Sequence, residues 1–301
     1  MTSPERHRVA ANGLEHSVLE WAPSARTSAP LAPVAILLHG YMDAAGTWDL
    51  VAPLLAAAGL RVLAPDMRGY GEGARIARGG YYHFPDYVAD LADIVDTIAP
   101  GQPLFVVGHS MGGTIATLYA GAFPERVAKL ALLEGVGPPD HPPEASPDRM
   151  RRWIEDVRSV SARGADDAKS IGTLDDAFRR LAVNHTGVSA DVLRSRLPHL
   201  VRELGPELDG RRVAWRFDPL HRTVSPTPFY ARTLIAFAKR VTCPTLFVSG
   251  GPSGFHPPDE DERLAAFASL RRAEIDGAGH MLHWSAPDAV AKLLVDLWQA
   301  T

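Results

Sequence analysis

The sequence predicts an α/β fold in which helices cover both faces of a mostly parallel central sheet. Short apolar runs, bounded by glycine and proline, alternate with stretches whose apolar residues recur at helical spacing. A strand that is apolar at every position is typical of a parallel sheet buried on both faces. A long segment in the second half of the chain breaks the alternation, which indicates an insertion into the α/β core.

The strands and helices of this core follow in chain order. A leading hairpin pairs residues 8–11 with residues 15–21. Central strands are predicted at residues 34–38, 61–64, 104–107, 130–133 and 245–248, and a shorter strand at or near the sheet edge at residues 272–275. Helical patterns cover residues 48–58, 84–98, 114–123, 259–268 and 287–298.

The break in the alternation covers residues 137–240 and opens with a cluster of prolines. Ser189 is expected to cap one of its helices through the side-chain hydroxyl. We therefore predict two structural units, an α/β core made of residues 1–136 and 241–301 and a helical lid made of residues 137–240. The helical patterns of the lid are residues 148–163, 174–184, 190–204 and 229–240.

Composition and charge exclude several classes of function. The 301 residues carry a formal net charge of −4, which gives no general attraction to nucleic acid or to an anionic membrane. No apolar run approaches the roughly 18 residues of a membrane span, and the first residues lack the apolar segment of a signal peptide. The single cysteine, Cys243, excludes an intrachain disulfide. We expect a cytoplasmic protein that neither spans a membrane nor binds nucleic acid.

The segment 108–112 carries the strongest chemical signal in the chain. It reads Gly-His-Ser-Met-Gly, follows the apolar run 104–107 directly and precedes a helical pattern. Glycines on both sides allow a sharp turn that holds the serine in a strained conformation with its hydroxyl exposed. Because this strand-to-helix context is typical of a nucleophile, we predict that Ser110 is catalytic. The alternative is a tight structural turn.

Four segments together resemble the α/β-hydrolase family over nearly the whole chain. Besides the turn around Ser110, they are His-Gly-Tyr at 39–41, Asp-Met-Arg-Gly-Tyr-Gly at 66–71 and Gly-Ala-Gly-His at 277–280. The resemblance implies the α/β-hydrolase fold and a reaction that needs no cofactor. Residues 39–43 and 215–219 most resemble the serine-hydrolase-like branch of that family.

The resemblance also implies how the serine would act. His280 would be the base that takes the Ser110 proton and returns it to the leaving group. The backbone amides of Tyr41 and Met111 would form the oxyanion hole that stabilises the developing negative charge. Serine at this position implies acyl transfer, because haloalkane dehalogenases and epoxide hydrolases of the family use an aspartate there to form an alkyl-enzyme ester.

The acid of the triad is where this chain departs from the usual family pattern. It usually follows the strand near residue 249, but the expected position holds Ser253, and the next carboxylate, Asp259, is better explained as the start of a helix. Glu134 stands at the end of the preceding strand, from which some members, haloalkane dehalogenases among them, take their acid. We therefore predict a triad of Ser110, Glu134 and His280. An acid at Asp259, or no effective acid, is the alternative.

Three further histidines lie near these motifs. His39 and His109 flank turn residues and are expected to support the loops through hydrogen bonds. His283 follows His280 by three residues, but no third ligand for a metal is evident, so no metal site is predicted.

The leading hypothesis is an esterase that cleaves a small-molecule carboxylic ester through an acyl-enzyme. The same triad would serve cleavage of a thioester, lactone, amide or carbon–carbon bond, and the sequence does not separate these. A different class, motivated by Ser253 at the usual acid position, is a non-catalytic homologue that binds a ligand. A Glu134 carboxylate within hydrogen-bond reach of His280 favours an enzyme, whereas one in solvent or paired with an arginine favours the binding protein.

Overall fold

The computed structural model describes residues 3–24, 32–162, 171–204 and 212–300. Its strands are Glu5–Ala11 (β1), Leu14–Trp21 (β2), Val34–Leu38 (β3), Arg61–Pro65 (β4), Leu104–His109 (β5), Val127–Leu133 (β6), Val201–Glu203 (β7), Val213–Trp215 (β8), Thr245–Ser249 (β9) and Leu270–Glu274 (β10). Eight of them form one sheet in the order β1-β2-β4-β3-β5-β6-β9-β10.

This sheet is parallel from β4 to β10, and β1 and β2 extend it by antiparallel pairing. The β1–β2 turn is made by Asn12 and Gly13, whose φ angles of 46° and 75° match the tight hairpin turn favoured by Asn-Gly. The predicted mostly parallel sheet, the leading hairpin and the edge position of the last strand are all confirmed.

Helices of the core cover both faces of the sheet, and further helices lie between β6 and β9. They are Ala52–Ala57 (α1), Phe84–Ile98 (α2), Met111–Ala122 (α3), Ser146–Ala162 (α4), Leu174–Asn184 (α5), Ala190–Leu200 (α6), Ala231–Ala238 (α7), Glu260–Ala265 (α8), Leu282–Ser285 (α9) and Pro287–Gln299 (α10). Ile36 of β3 belongs to the apolar cluster with α2 and α3, and its neighbour Leu37 belongs to the cluster with α1 and α10. Both faces of the strand are therefore buried, as its continuous apolar run predicts. Within the described ranges, no helix has the length and apolar character needed to cross a membrane.

Two predicted helices are wrong in part. The predicted helix 48–58 is a 3₁₀ helix, Ala45–Leu50, followed by the short helix α1. Pro53 in the first turn of α1 lacks the N–H that would continue one helix through this point. The predicted helix 190–204 stops at Leu200, because the next three residues form β7 and pair with β8 from a distant part of the chain.

The other predicted helices are present; the one at 84–98 has the predicted bounds, and most of the others have shifted ends. The helix at 174–184 has the predicted bounds, and the last residue predicted for the helix at 148–163 lies outside the described residues. The hydroxyl of Ser189 accepts from the Val192 N–H at 3.4 Å, so the predicted N-cap of α6 is confirmed.

The segment between β6 and β9 is held against the core by aromatic and polar contacts. The ring of His221 stacks on Tyr70 with centroids 4.0 Å apart and lies 3.9 Å from the ring of Tyr82. The Asp218 N–H donates to the Gly69 carbonyl at 2.7 Å, and the Asp218 carboxylate accepts from the Tyr82 hydroxyl at 2.8 Å. This part of the segment is thereby fixed to the loop that follows β4.

A buried arginine holds the chain where this segment begins. Arg263 on α8 is fully buried, and its Nη1 donates to the carbonyls of Val136, Gly137 and Pro138 at 2.7–3.0 Å. Its Nη2 lies 2.8 Å from a carboxylate oxygen of Asp259. One side chain therefore satisfies three successive backbone carbonyls just beyond the end of β6.

We expect Arg263→Met to lower the free energy of unfolding by about 3 kcal/mol. Methionine fills much of the space but leaves the three carbonyls without a donor and the Asp259 carboxylate without its ion-pair partner. Urea denaturation measures the change, with Arg271→Met, an exposed position on β10, as the control. Equal stability of the two variants would show that these carbonyl contacts contribute nothing to stability.

Candidate active site

The turn between β5 and α3 presents Ser110 in a strained backbone conformation. Ser110 has φ 51° and ψ −115°, in the left-handed half of conformational space that non-glycine residues rarely occupy. A Cβ at Gly108 would lie 2.3 Å from the Gly112 carbonyl oxygen, and one at Gly112 would lie 2.2 Å from the Leu38 carbonyl oxygen. The glycines are therefore required by close backbone packing, and the strain is concentrated at the serine, as is common at functional sites.

His280 lies between Ser110 and Glu134. Its Nε2 is 3.0 Å from the Ser110 Oγ, and its Nδ1 is 3.2 Å from the Glu134 Oε2. With Nδ1–H donating to the carboxylate, Nε2 is free to accept the serine proton. The structure thus brings the three predicted side chains together, although 146 positions separate the glutamate from the histidine.

Glu134 is buried and held at both carboxylate oxygens. Gly250 N–H donates to Oε1 at 2.5 Å, and Phe255 N–H donates to Oε2. A Cβ at Gly254 would lie 2.3 Å from Oε1, so the loop after β9 can enclose the carboxylate only with glycine there. The alternative acid, Asp259, pairs instead with Arg263. The loop that usually supplies the acid therefore supplies two backbone donors to Glu134.

Two backbone amides remain available beside the serine. Met111 is the first residue of α3, so its N–H has no partner within the helix. Among the described residues, no hydrogen bond donated by the N–H of Met111 or Tyr41 is found. The Tyr41 side chain lines the cavity at the site, and its hydroxyl donates to the His221 carbonyl. At both positions predicted for the oxyanion hole, the backbone N–H therefore has no hydrogen-bond acceptor among the described residues.

A cavity of about 1640 Å³ lies over the serine and histidine. Its walls are mainly apolar and aromatic, and both the core and the 137–240 segment contribute to them. Ser110, Glu134 and His280 line it, together with Phe84 and Leu118 from the core and Trp215, Phe217 and Phe229 from the segment. A cavity of this size and character can accept a bulky apolar molecule.

Two neighbouring histidines support the loops as expected. His39 Nδ1–H donates to the Gly40 carbonyl at 2.8 Å, and its Nε2 accepts from the Met67 N–H at 3.1 Å. His109 Nε2–H donates to the carbonyl of His280 at 2.8 Å, which ties the nucleophile turn to the backbone of the base.

A buried pair formed by Asp43 and His283 was not predicted. The Asp43 Oδ2 lies 3.4 Å from the His283 Nε2, so this histidine faces the loop after β3 rather than His280. Burial lowers the pKa of both His283 and His109, which keeps both rings neutral near pH 7. Burial acts to raise the pKa of Asp43, but its contacts with His283, His39 and Thr47 together outweigh this, and the pKa is below its usual value. The sequence signal that could have revealed this pair is the 39–43 motif, to which Asp43 belongs.

A family-level profile described as "alpha/beta hydrolase fold" matches residues 33–287. The chain therefore belongs to this family, as the four motifs and the sheet order also indicate.

Three relatives illustrate the range of activities near this chain. A "Serine hydrolase-like protein" of Danio rerio is 27% identical over 282 residues, covering 88% of this chain and 81% of that protein. "Epoxide hydrolase A" of Mycobacterium tuberculosis is 26% identical over 331 residues, covering 98% of each. "Esterase Rv0045c" of the same organism is 29% identical over 305 residues, covering 97% of this chain and 88% of that protein. A solved structure of this esterase has a TM-score of 0.70 at 24% identity, covering 100% of this chain and 92% of that one.

Proposed function

We propose that this hydrolase cleaves carboxylic esters through an acyl-enzyme formed on Ser110. The observation that carries the proposal is the continuous chain of contacts from the Ser110 hydroxyl through the His280 ring to the Glu134 carboxylate, with separations of 3.0 and 3.2 Å. A carboxylate at the far nitrogen fixes the histidine tautomer that can accept the serine proton. Met111 and Tyr41 would supply the two oxyanion donors.

The steps of the reaction follow from these positions. The His280 Nε2 takes the Ser110 proton as the serine oxygen attacks the ester carbonyl. The amides of Tyr41 and Met111 hold the oxyanion, and Glu134 stabilises the imidazolium. His280 then protonates the departing alcohol, leaving an acyl-serine. A water molecule gives its proton to His280 and attacks the acyl group, and the returning proton releases the acid and restores Ser110.

The position of Glu134 argues against a protein that only binds a ligand. Its carboxylate is buried, faces His280 and accepts two backbone N–H groups, so it is neither in solvent nor paired with an arginine. The alternative of an epoxide hydrolase, suggested by several relatives, requires a nucleophile that can form an alkyl ester. A serine hydroxyl at this place favours acyl transfer.

The cavity supports a substrate with a bulky apolar acyl or alcohol group. Residues 137–240 would act as the lid that sets its size, because Trp215, Phe217 and Phe229 from this segment complete the wall around the serine. A small-molecule ester of this kind would be held mainly by apolar contact, with the reacting carbonyl placed by the amides.

Labelling with a fluorophosphonate probe tests the nucleophile. We expect one probe per chain on the peptide that contains Ser110, because phosphonylation requires a serine activated by a base. Mass spectrometry of the digested protein locates the label. Ser253→Ala is the matched control, since this serine lies in the loop next to Glu134 and should not affect labelling. Labelling that survives Ser110→Ala would defeat the assignment.

A further inference from the structure

Asp43, His109 and His283 meet in a buried cluster beside the triad. One possible ligand atom from each residue lies within 4.8 Å of those of the other two. All three side chains are buried, and Asp43 and His109 also line the large cavity, which gives the cluster a route to solvent. None of the three is required to carry out the proposed ester hydrolysis.

The bonding of His109 leaves one nitrogen with a free lone pair. Its Nε2–H is committed to the His280 carbonyl, so the neutral ring carries no proton on Nδ1. Within the described part of the chain, this Nδ1 is buried without a hydrogen-bond partner. A Cβ at residue 40 would lie 2.7 Å from this Nδ1, so the absence of a side chain at Gly40 leaves the nitrogen uncovered on that side.

His283 and Asp43 also have buried polar atoms without a hydrogen-bond partner among the described residues. The 3.4 Å between His283 Nε2 and Asp43 Oδ2 is long for a hydrogen bond, and neither atom has another partner among the described residues. Two ligands about 2.0–2.1 Å from one tetrahedral ion are themselves about 3.3 Å apart. The observed spacing is therefore close to that of two atoms bound to the same ion.

The surrounding contacts resemble those that orient metal ligands. Asp43 Oδ1 accepts from the Ala44 N–H at 2.8 Å and from the Thr47 hydroxyl at 2.7 Å, which turns Oδ2 towards the histidines. The far nitrogen of His109 donates to a backbone carbonyl, the usual second contact of a metal-binding histidine. Two imidazoles and one carboxylate suit Zn²⁺ and related divalent transition metals better than Mg²⁺ or Ca²⁺.

We propose that Asp43, His109 and His283 bind one divalent transition-metal ion of the Zn²⁺ class, and that the bound ion inhibits the hydrolase. The His109 and His280 rings have centroids 5.0 Å apart, so the ion places positive charge near the base. Catalysis requires His280 to become a cation, and a neighbouring positive charge disfavours that form. The inhibition rests on the proposed function, whereas the binding does not.

Calorimetric titration of chelator-treated full-length protein with Zn²⁺ tests the binding. We expect one ion per chain for the wild type and an affinity at least about 100-fold weaker for Asp43→Asn and His283→Gln. His280→Gln separates this cluster from the triad histidine, and His256→Gln, on the surface, is the matched control; both should bind Zn²⁺ like the wild type. Co²⁺ provides a second readout, because its visible absorption reports tetrahedral coordination. We expect this absorption for the wild type but not for Asp43→Asn or His283→Gln.

Thermal unfolding shows whether each variant is folded, and Zn²⁺ should raise the unfolding temperature only where the site is intact. Absence of binding by the wild type, or equal binding by Asp43→Asn and His283→Gln, would overturn the site. Loss of binding in His280→Gln alone would place the ion on the triad instead.

In the ester assay we expect Zn²⁺ to inhibit the wild type and to spare His283→Gln. Stoichiometric binding without inhibition would refute the proposal that the bound ion inhibits the enzyme. A wild type without esterase activity would refute the proposed function and leave the binding result unaffected.

Discussion

Ser110→Ala is expected to lower kcat for hydrolysis of an activated ester by about 10⁶-fold. Alanine removes the atom that forms the acyl-enzyme, and the remaining rate comes from the oxyanion donors and from binding alone. The substitution removes one oxygen from the cavity wall, so KM should change little. Steady-state kinetics on an activated aliphatic ester provides both constants.

The control for Ser110→Ala is a variant that replaces a serine with no role in the reaction. Ser253→Ala meets this need, because Ser253 lies in the loop that encloses Glu134 and should retain the wild-type kcat. Thermal unfolding of both variants checks that the fold is unchanged. A loss of less than about tenfold in Ser110→Ala would mean that hydrolysis proceeds without this hydroxyl and would remove the basis of the proposed mechanism.

Glu134→Gln is expected to lower kcat by about 10⁴-fold. The amide has nearly the same shape as the carboxylate, but it carries no charge to stabilise the imidazolium. Its NH₂ group can also donate to Nδ1 of His280, which selects the tautomer that cannot accept the serine proton. The effect should fall on kcat rather than KM, and steady-state kinetics separates the two.

Asp259→Asn tests the competing acid. Because Asp259 pairs with Arg263, we expect its replacement to affect stability and to leave kcat within about tenfold of the wild type. Urea denaturation of both variants separates loss of folded protein from loss of chemistry. The predicted triad would be wrong if Asp259→Asn lost as much activity as Glu134→Gln, or if Glu134→Gln remained nearly as active as the wild type.

Several features could be predicted from the sequence because they depend on neighbouring residues. The continuous apolar runs are sufficient to predict buried parallel strands, and Gly108 is required by packing within the turn that carries Ser110. The Asn-Gly pair likewise determines its hairpin turn. The order of motifs also suggested Glu134, because parallel strand ends gather on one edge of the sheet.

Other features depend on partners that no local pattern reveals. The end of α6 is decided by the pairing of β7 with β8. In the sequence, nothing distinguishes Arg263 from an ordinary charged residue of a short helix, but in the structure it is buried against three backbone carbonyls.

The amino-acid pattern alone predicted the α/β core and the serine turn, since each follows from spacing along a few consecutive residues, and the resemblance to the α/β-hydrolase family suggested the candidate triad residues. Only folding decided that the Glu134 carboxylate meets His280 and that His283 meets Asp43. These contacts join residues far apart in the chain, and they exist because the strand order of the sheet brings the ends of β3, β5, β6 and β10 to one edge.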